Sequence, residues 1–426
     1  MIKIYNEKSY DVDKILGREN GGVSDDILRS VKEILEDVRL NKDKALFAYT
    51  EKFDKVKLES LEVSSEEIEK AFAEVDEDFK KTLEIAKENI ETYHKNQVKK
   101  GYEIKKEGGV VLGQKVIPLN RVGIYVPGGT AAYPSTVLMN AIPAKIAGVK
   151  EIVMVTPPLK DGSITKEILV AAKIAGVDKI YKVGGAQAIG ALAYGTESIK
   201  RVDKITGPGN VFVATAKREV FGLCDIDMIA GPSEILVIAD DKASPVCLAG
   251  DLLSQAEHDR LAQAVLITTS LPLANEVAKE IEVQLKKLPR EEIARVSIEN
   301  NSKIFIVDSI EKGIELSNEI APEHLEMCVE NPFDYLPLIL NAGSIFLGYN
   351  TPEALGDYLA GTNHTLPTSG TARFASPLSV DDYVKKSSYI YYTKEELQKV
   401  QRRIEDFANR EGLFAHANSV TNRFKK

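Results

Sequence analysis

The residues of this chain that could do chemistry sit in a few short stretches. One is residues 355–374, LGDYLAGTNHTLPTSGTARF, which sets Asp357 and His364 among small residues, glycines and a proline. No apolar period of 2 or 3.6 crosses it, so it reads as a loop with at most a short helical start. A loop of that length is uncommon in a compact domain unless it has a task. Upstream, Gln255 and His258 stand three apart near the end of SPVCLAGDLLSQAEHD. Ser244 caps that helix and Pro245 takes its first position, so the two side chains share a face. With Asp251 they form a polar stripe where a core stripe is expected. Asp357 and His416 complete a set of one amide, one carboxylate and two imidazoles. Without a thiolate, such a set suits zinc in a catalytic site, and manganese or cobalt also fits. On their own, Gln255 and His258 are better explained by local pairing or capping, by roughly three to one. Glu323 and His324, in IAPEHLE, place a carboxylate beside an imidazole. Their pKa values can be driven apart for acid and base roles, although a surface turn carries the same pair. His94 falls in the last turn of a helix, where it serves the helix dipole or the surface.

Elements must bring these residues together. The first twenty residues read as an extended arm closed by Gly21-Gly22. Ser24 caps a helix with Ile27, Val31, Ile34, Leu35 and Val38 on its apolar face. A second helix covers about Asp43 to Phe53. One long helix opens at Ser64 or Ser65 and runs to Tyr93. From Arg121 strands alternate with helices of about ten residues, which means β-α-β units on a parallel sheet. The glycine turns VPGGTA, VGGAQA and TGPGN fall at carboxyl ends of strands, where ligands bind and freed amides can hold phosphate. A second β-α-β region follows Ser244, and Thr393 with Glu396 forms a capping box after Pro377.

Four stretches in this order and spacing, LLSQAEHD, NEIAPEHLE, LGDYLAGTNHTLPTSGTARF and EGLFAHANSVTNR, resemble the signatures of the histidinol dehydrogenases. RVGIYVPGGTAAYPSTVLM, VGGAQAIGALAYGT, DKITGPGNVFVATAKR and AGPSEILVIAD are similar to that family's nucleotide-side segments, so the likeness runs from about Val23 onward. The resemblance implies NAD-dependent oxidation of L-histidinol to L-histidine through L-histidinaldehyde, in a homodimer with shared active sites and one zinc per subunit. It implies zinc on Gln255, His258, Asp357 and His416, and an acid–base pair of Glu323 and His324. Substrate would meet Ser233, His364 and Glu411 as well as the metal ligands and His324, and NAD would meet Tyr125, Gln187 and Asn210. The expected fold is α/β, with two Rossmann-like β-α-β regions on parallel sheets, an N-terminal helical segment and a helical C-terminal dimerisation tail. The expected layout is an arm over 1–20 and a helical region over 21–118 packing on the catalytic domain. An NAD-side domain over 119–233, a catalytic domain over 234–376 and the tail over 377–426 follow.

Composition narrows the class. The chain has 426 residues, a formal charge of −9 with both signs interspersed, and three scattered cysteines without a C-x-x-C. Mixed charge argues against nucleic acid. The charged N-terminus and the lack of about 20 uninterrupted apolar residues argue against export and membrane insertion. Scattered thiols point to a reducing cytoplasm. None of them sits in a chemical motif, so a thiohemiacetal route has no nucleophile. A related dehydrogenase for another small alcohol, a zinc hydrolase and a metal-dependent binding scaffold are the competing readings. The first is opposed by Glu411 and His364, the second by the glycine turns, and the third by the Glu323–His324 pair.

Overall fold

The computed structural model describes residues 1–6, 10–11, 15–16, 23–128 and 132–425. The end of the expected arm, with Gly21-Gly22, therefore lies largely outside the described residues. Its start is strand β1 (Lys3–Tyr5). Ser24 caps α1 (Asp25–Asp54), which Lys42, at φ 52°, breaks into the two expected helices. The expected long helix from Ser64 is instead two, α2 (Ser65–Glu74) and α3 (Glu77–Lys95). Val75 turns extended and Asp76 accepts the Phe79 N–H at 2.8 Å. An aspartate there competes with the helix for backbone amides and starts a new one. His94 is not at the surface: it is buried, with Nδ1 2.7 Å from Gln97 Oε1. Strands β2 (Tyr102–Lys105) and β3 (Val111–Pro118) follow and belong to the second unit below.

The first β-α-β region comprises β4 (Arg121–Tyr125), α4 (Pro134–Ala147), β5 (Glu151–Thr156), α5 (Lys166–Ala175) and β6 (Lys179–Lys182). It continues through α6 (Gly185–Tyr194), β7 (Lys204–Thr206), α7 (Val211–Val220) and β8 (Asp225–Ile226). Its strands pair in parallel in the order β6-β5-β4-β7-β8. The N-terminal helices pack mainly on this region rather than on the expected catalytic one, which α3 reaches where Asn89 Nδ2 donates to Leu359 O at 2.7 Å. Helix α1 packs on α6 and α7, α2 on α5, and α3 on α4. The physical reason lies at Gly190, where an added Cβ would come within 3.2 Å of Leu35 and 3.3 Å of Val38. A glycine there lets the apolar face of α1 seat on the backbone of α6.

The second region comprises β9 (Glu234–Ala239), α8 (Pro245–Ala256), β10 (Gln263–Thr268), α9 (Leu271–Leu285), β11 (Lys303–Ile306) and α10 (Ile310–Ile320). Then come β12 (His324–Cys328), β13 (Ser344–Leu347) and the short helix α11 (Glu353–Tyr358). The sheet is parallel, ordered β1-β11-β10-β9-β12-β13, so the N-terminal arm adds its edge strand. Apolar side chains fill both faces, as parallel sheets require.

Chain contacts divide the protein into two units: Met1–Gln97 with Leu119–Tyr383, and Val98–Pro118 with Val384–Lys426. The second holds an antiparallel sheet in which β14 (Val384–Tyr391) pairs with β3, and β3 with β2. Helices α12 (Lys394–Arg410) and α13 (Phe414–Thr421) pack on each other within it. The expected tail over 377–426 is thus divided: its start up to Tyr383 belongs to the first unit, and the rest opens with an eight-residue strand paired to β3. No helix among the described residues is long and apolar enough to cross a membrane.

Candidate active site

The side-chain alternation of β12 sends His324, Glu326 and Cys328 to one face. Register places His324 beside Ile235 of β9 and Ser344 of β13. His324 Nδ1 lies 2.9 Å from the carbonyl oxygen of Glu234. A carbonyl only accepts, so Nδ1 carries the proton and Nε2 keeps its lone pair. Nε2 is buried without a hydrogen-bond partner, 3.8 Å from Glu353 Oε1 and 4.0 Å from Asp357 Oδ1. Burial lowers the His324 pKa, which favours this neutral form. The neighbouring Glu323 accepts the N–H of the same Glu234 at 2.8 Å, and burial raises its pKa well above the carboxylate range. One backbone residue therefore holds both members of the pair. Gly343 makes room beside them, since a Cβ there would lie 2.5 Å from the Glu323 carbonyl oxygen.

Gln255 closes α8 and is buried. Its Nε2 donates to Glu353 Oε1 at 2.5 Å, and its Oε1 is buried with no partner. Glu353 is the buried residue at the centre of this cluster that the sequence reading missed. The available signal was its place four residues before Asp357, on the same face of what proves to be α11. The Glu353 N–H donates to Glu326 Oε1 at 2.7 Å, which anchors this short helix to β12. Burial first, and then the charge of Glu353, push Asp357 up to about 9. His364 Nδ1 lies 3.2 Å from the Asp357 carbonyl oxygen and its Nε2 3.4 Å from Thr136 Oγ1, and burial pushes its pKa down to about 4. His258 lies just past the end of α8, exposed, with its N–H on the Gln255 carbonyl at 3.1 Å. Ser233, half-buried, directly precedes Glu234.

The first unit thus gathers Gln255, Glu323, His324, Asp357 and His364 around Glu353. Ligating atoms of His324, Glu353 and Asp357 fall within 4.8 Å of one another. Two orphaned buried acceptors, Gln255 Oε1 and His324 Nε2, lie near the carboxyls of Glu353, held below the ordinary carboxylate range, and Asp357, pushed above it, a donor set that suits a divalent cation. Glu411 and His416 belong to the second unit, at the end of α12 and on α13, and both are exposed.

At the carboxyl ends of β4, β6 and β7 the three glycine turns meet. Tyr125 is buried, and its hydroxyl accepts the Gly185 N–H at 3.0 Å. Gln187 is buried beside that turn: a Cβ on Gly185 would meet its Oε1 at 2.7 Å. Asn210 Oδ1 caps α7 by accepting the N–H groups of Phe212 and Val213 at 3.0 and 3.2 Å. A buried Lys217–Asp227 ion pair grips Gly207 from both sides, through its carbonyl at 3.0 Å and its N–H at 2.7 Å. Gly129, Thr130 and Ala131 of the first turn lie outside the described residues.

Two Rossmann-like sheets, glycine turns at strand ends and a buried imidazole–carboxylate site define an α/β oxidoreductase. The family model for histidinol dehydrogenase matches residues 18–424. The chain is 58% identical to the histidinol dehydrogenase of Clostridium acetobutylicum, over 100% of this chain and 99% of that protein. It is 57% identical to that of Bacillus cereus, over 99% of each. The crystal structure of histidinol dehydrogenase from Elizabethkingia anophelis superposes with a TM-score of 0.93 at 43% identity, covering 99% of this chain and 98% of that one. The chain belongs to the histidinol dehydrogenase family.

Proposed function

We propose that the protein oxidises L-histidinol to L-histidine through L-histidinaldehyde, the last step of histidine biosynthesis, in two NAD-dependent half-reactions. The observation that carries this reading is the Glu323–His324 pair, two bases held by one backbone residue. His324 Nε2 takes the proton of the substrate hydroxyl as the carbinol carbon gives up a hydride. Glu323, a stronger base for its burial, then takes a proton from water as the water adds to the aldehyde carbon. With that proton on Glu323, the product is the anion of the aldehyde hydrate, which loses a second hydride to give the carboxylic acid and then a proton to give the carboxylate. General bases of this kind contribute on the order of 10² to 10⁴ in rate. NAD, when bound near Tyr125, Gln187 and Asn210, accepts each hydride.

Zinc, one per subunit, would be held by Gln255, His258, Asp357 and His416, and supplies a positive anchor for the substrate's amine and imidazole nitrogens. The unpartnered Oε1 of Gln255 supports this set. Ser233, His364 and Glu411 contact the substrate. Cys224 and Cys328 are buried, which raises their pKa, so neither offers a thiolate for an aldehyde. Scattered thiols of this kind fit a reducing cytoplasm.

The protein works as a homodimer in which Glu411 and His416 of one subunit complete the site of the other. Support comes from the second unit, whose Ile104, Ile390, Tyr391, Phe407 and Phe414 are exposed large hydrophobics. The test of the reaction is NADH formed per histidinol consumed. Two are expected, with histidine as product; one, with free aldehyde accumulating, would refute the two-step reading.

A further inference from the structure

We infer that Glu353 is a positioning residue that fixes which end of the Gln255 amide faces the site, holding its oxygen toward a bound divalent cation. The inference rests on the proposed role of Gln255 as a metal ligand. A primary amide can turn either its oxygen or its NH2 group to the same place, and only the oxygen can ligate a cation. At Gln255 the choice is made by the group behind it. Nε2 sits 2.5 Å from Glu353 Oε1. Turning the amide over would set two acceptor oxygens against each other at that distance, in a buried place where water cannot relieve the repulsion. The donor end is therefore spent on Glu353, and Oε1 is left buried with no partner.

Glu353 is itself held in place by its neighbours. It is 2% exposed, Ser254 Oγ lies 2.9 Å from its Oε2, and its N–H is held by Glu326 Oε1 at 2.7 Å. The arrangement mirrors the outer partners that orient histidine ligands, whose loss typically weakens metal binding about 10- to 100-fold. A glutamine at 353 has nearly the same shape but can both donate and accept, so it no longer selects one orientation.

Glu353 also lies 3.8 Å from His324 Nε2 and could act by its own charge or by touching the cation. A double-mutant cycle separates these routes. Wild type, Glu353→Gln, Gln255→Ala and the double variant are stripped of metal with a chelator. Circular dichroism checks that each is folded, which the buried cores of the two sheets should secure without metal. Zinc affinity is then measured by competition with a chromophoric chelator, and the visible spectrum of added cobalt is recorded. The expected result is a loss of affinity of about 10- to 100-fold for Glu353→Gln with an altered cobalt spectrum. In the Gln255→Ala background the same change should shift affinity by less than about threefold, because there is no amide left to orient. Unchanged zinc affinity in Glu353→Gln, or an equal loss in both backgrounds, overturns the inference while Gln255 remains a ligand. Wild-type affinity in Gln255→Ala removes Gln255 from the metal set, and the inference falls with it. Should Glu353→Gln not fold, Glu353→Asp takes its place in the cycle: it keeps the charge but is too short to reach Nε2.

Discussion

At the residue scale, the site depends on groups whose ordinary behaviour is changed by burial. His324 is driven toward its neutral form by desolvation, and the Nδ1 proton on the Glu234 carbonyl leaves Nε2 as the free acceptor. Glu323 is a stronger base because its charged form is desolvated. The roles proposed for them separate by half-reaction, and so should their variants. Glu323→Gln keeps the shape of the side chain and removes the base proposed for the water step. Assays started from histidinaldehyde should slow by about 10² to 10⁴, and the first NADH formed from histidinol by much less. Equal slowing from both substrates would show that Glu323 does not belong to the water step.

At the element scale, the Glu323–His324 pair is placed by how closely its strands approach. Gly343 precedes β13, and its N–H donates to Pro322 O at 3.0 Å, just before Glu323 and His324. Gly343→Ala would push a methyl to 2.5 Å from the Glu323 carbonyl, so backbone must move. We expect kcat to fall by about tenfold or more while the thermal midpoint drops only a few degrees, because misplacement of a base costs more than local strain. Full activity would mean that the strand ends tolerate the shift.

The edge of the same sheet carries a pH-dependent weakness. Lys303 of β11 is 4% exposed and faces Lys3 of β1 in register. Burial, and then Lys3, push its pKa down to about 8 from 10.5. Below pH 8 both the folded and the unfolded chain hold the proton, and the folded state bears the full cost of the buried charge. Between 8 and 10.5 only the unfolded chain holds it, so stability should rise with pH by on the order of 1–3 kcal/mol. Urea unfolding across that range should show the rise in wild type and lose it in Lys303→Met. A variant that follows the wild-type profile would assign the rise to other groups.

At the scale of the whole molecule, the question is what completes the site. Inactive His416→Ala and inactive Glu323→Gln, mixed under conditions that exchange subunits, should regain activity if His416 serves the second subunit's site. One of the two sites in a mixed dimer then has wild-type residues at both positions. A mixture that stays inactive despite confirmed exchange places His416 in its own subunit's site.

Much of this was legible in the sequence. The period of apolar residues gave two β-α-β regions, and the caps at Ser24, Ser64 and Thr393 marked helix starts, because both signals are local. The reactive stretches were legible because histidines are few and their neighbours bland. Local rules also made the errors. Asp76 lay inside an apolar period and was read through, although an aspartate is the side chain that ends one helix and starts another. Residues 98–118 showed no strand because the short β2 pairs only the first half of β3, and its whole length is paired only by β14, more than 260 residues later in the chain. The placement of α1 to α3 on the first sheet depends on which surfaces fit, as at Gly190. Glu353 carries the same lesson into the site. On its own it is one more glutamate at a helix start, where solvent usually keeps it. Only the approach of α8, β12 and α11 buries it, puts Gln255 Nε2 on its oxygen and leaves the other end of that amide facing the site, and proximity of that kind has no period to be read from a chain.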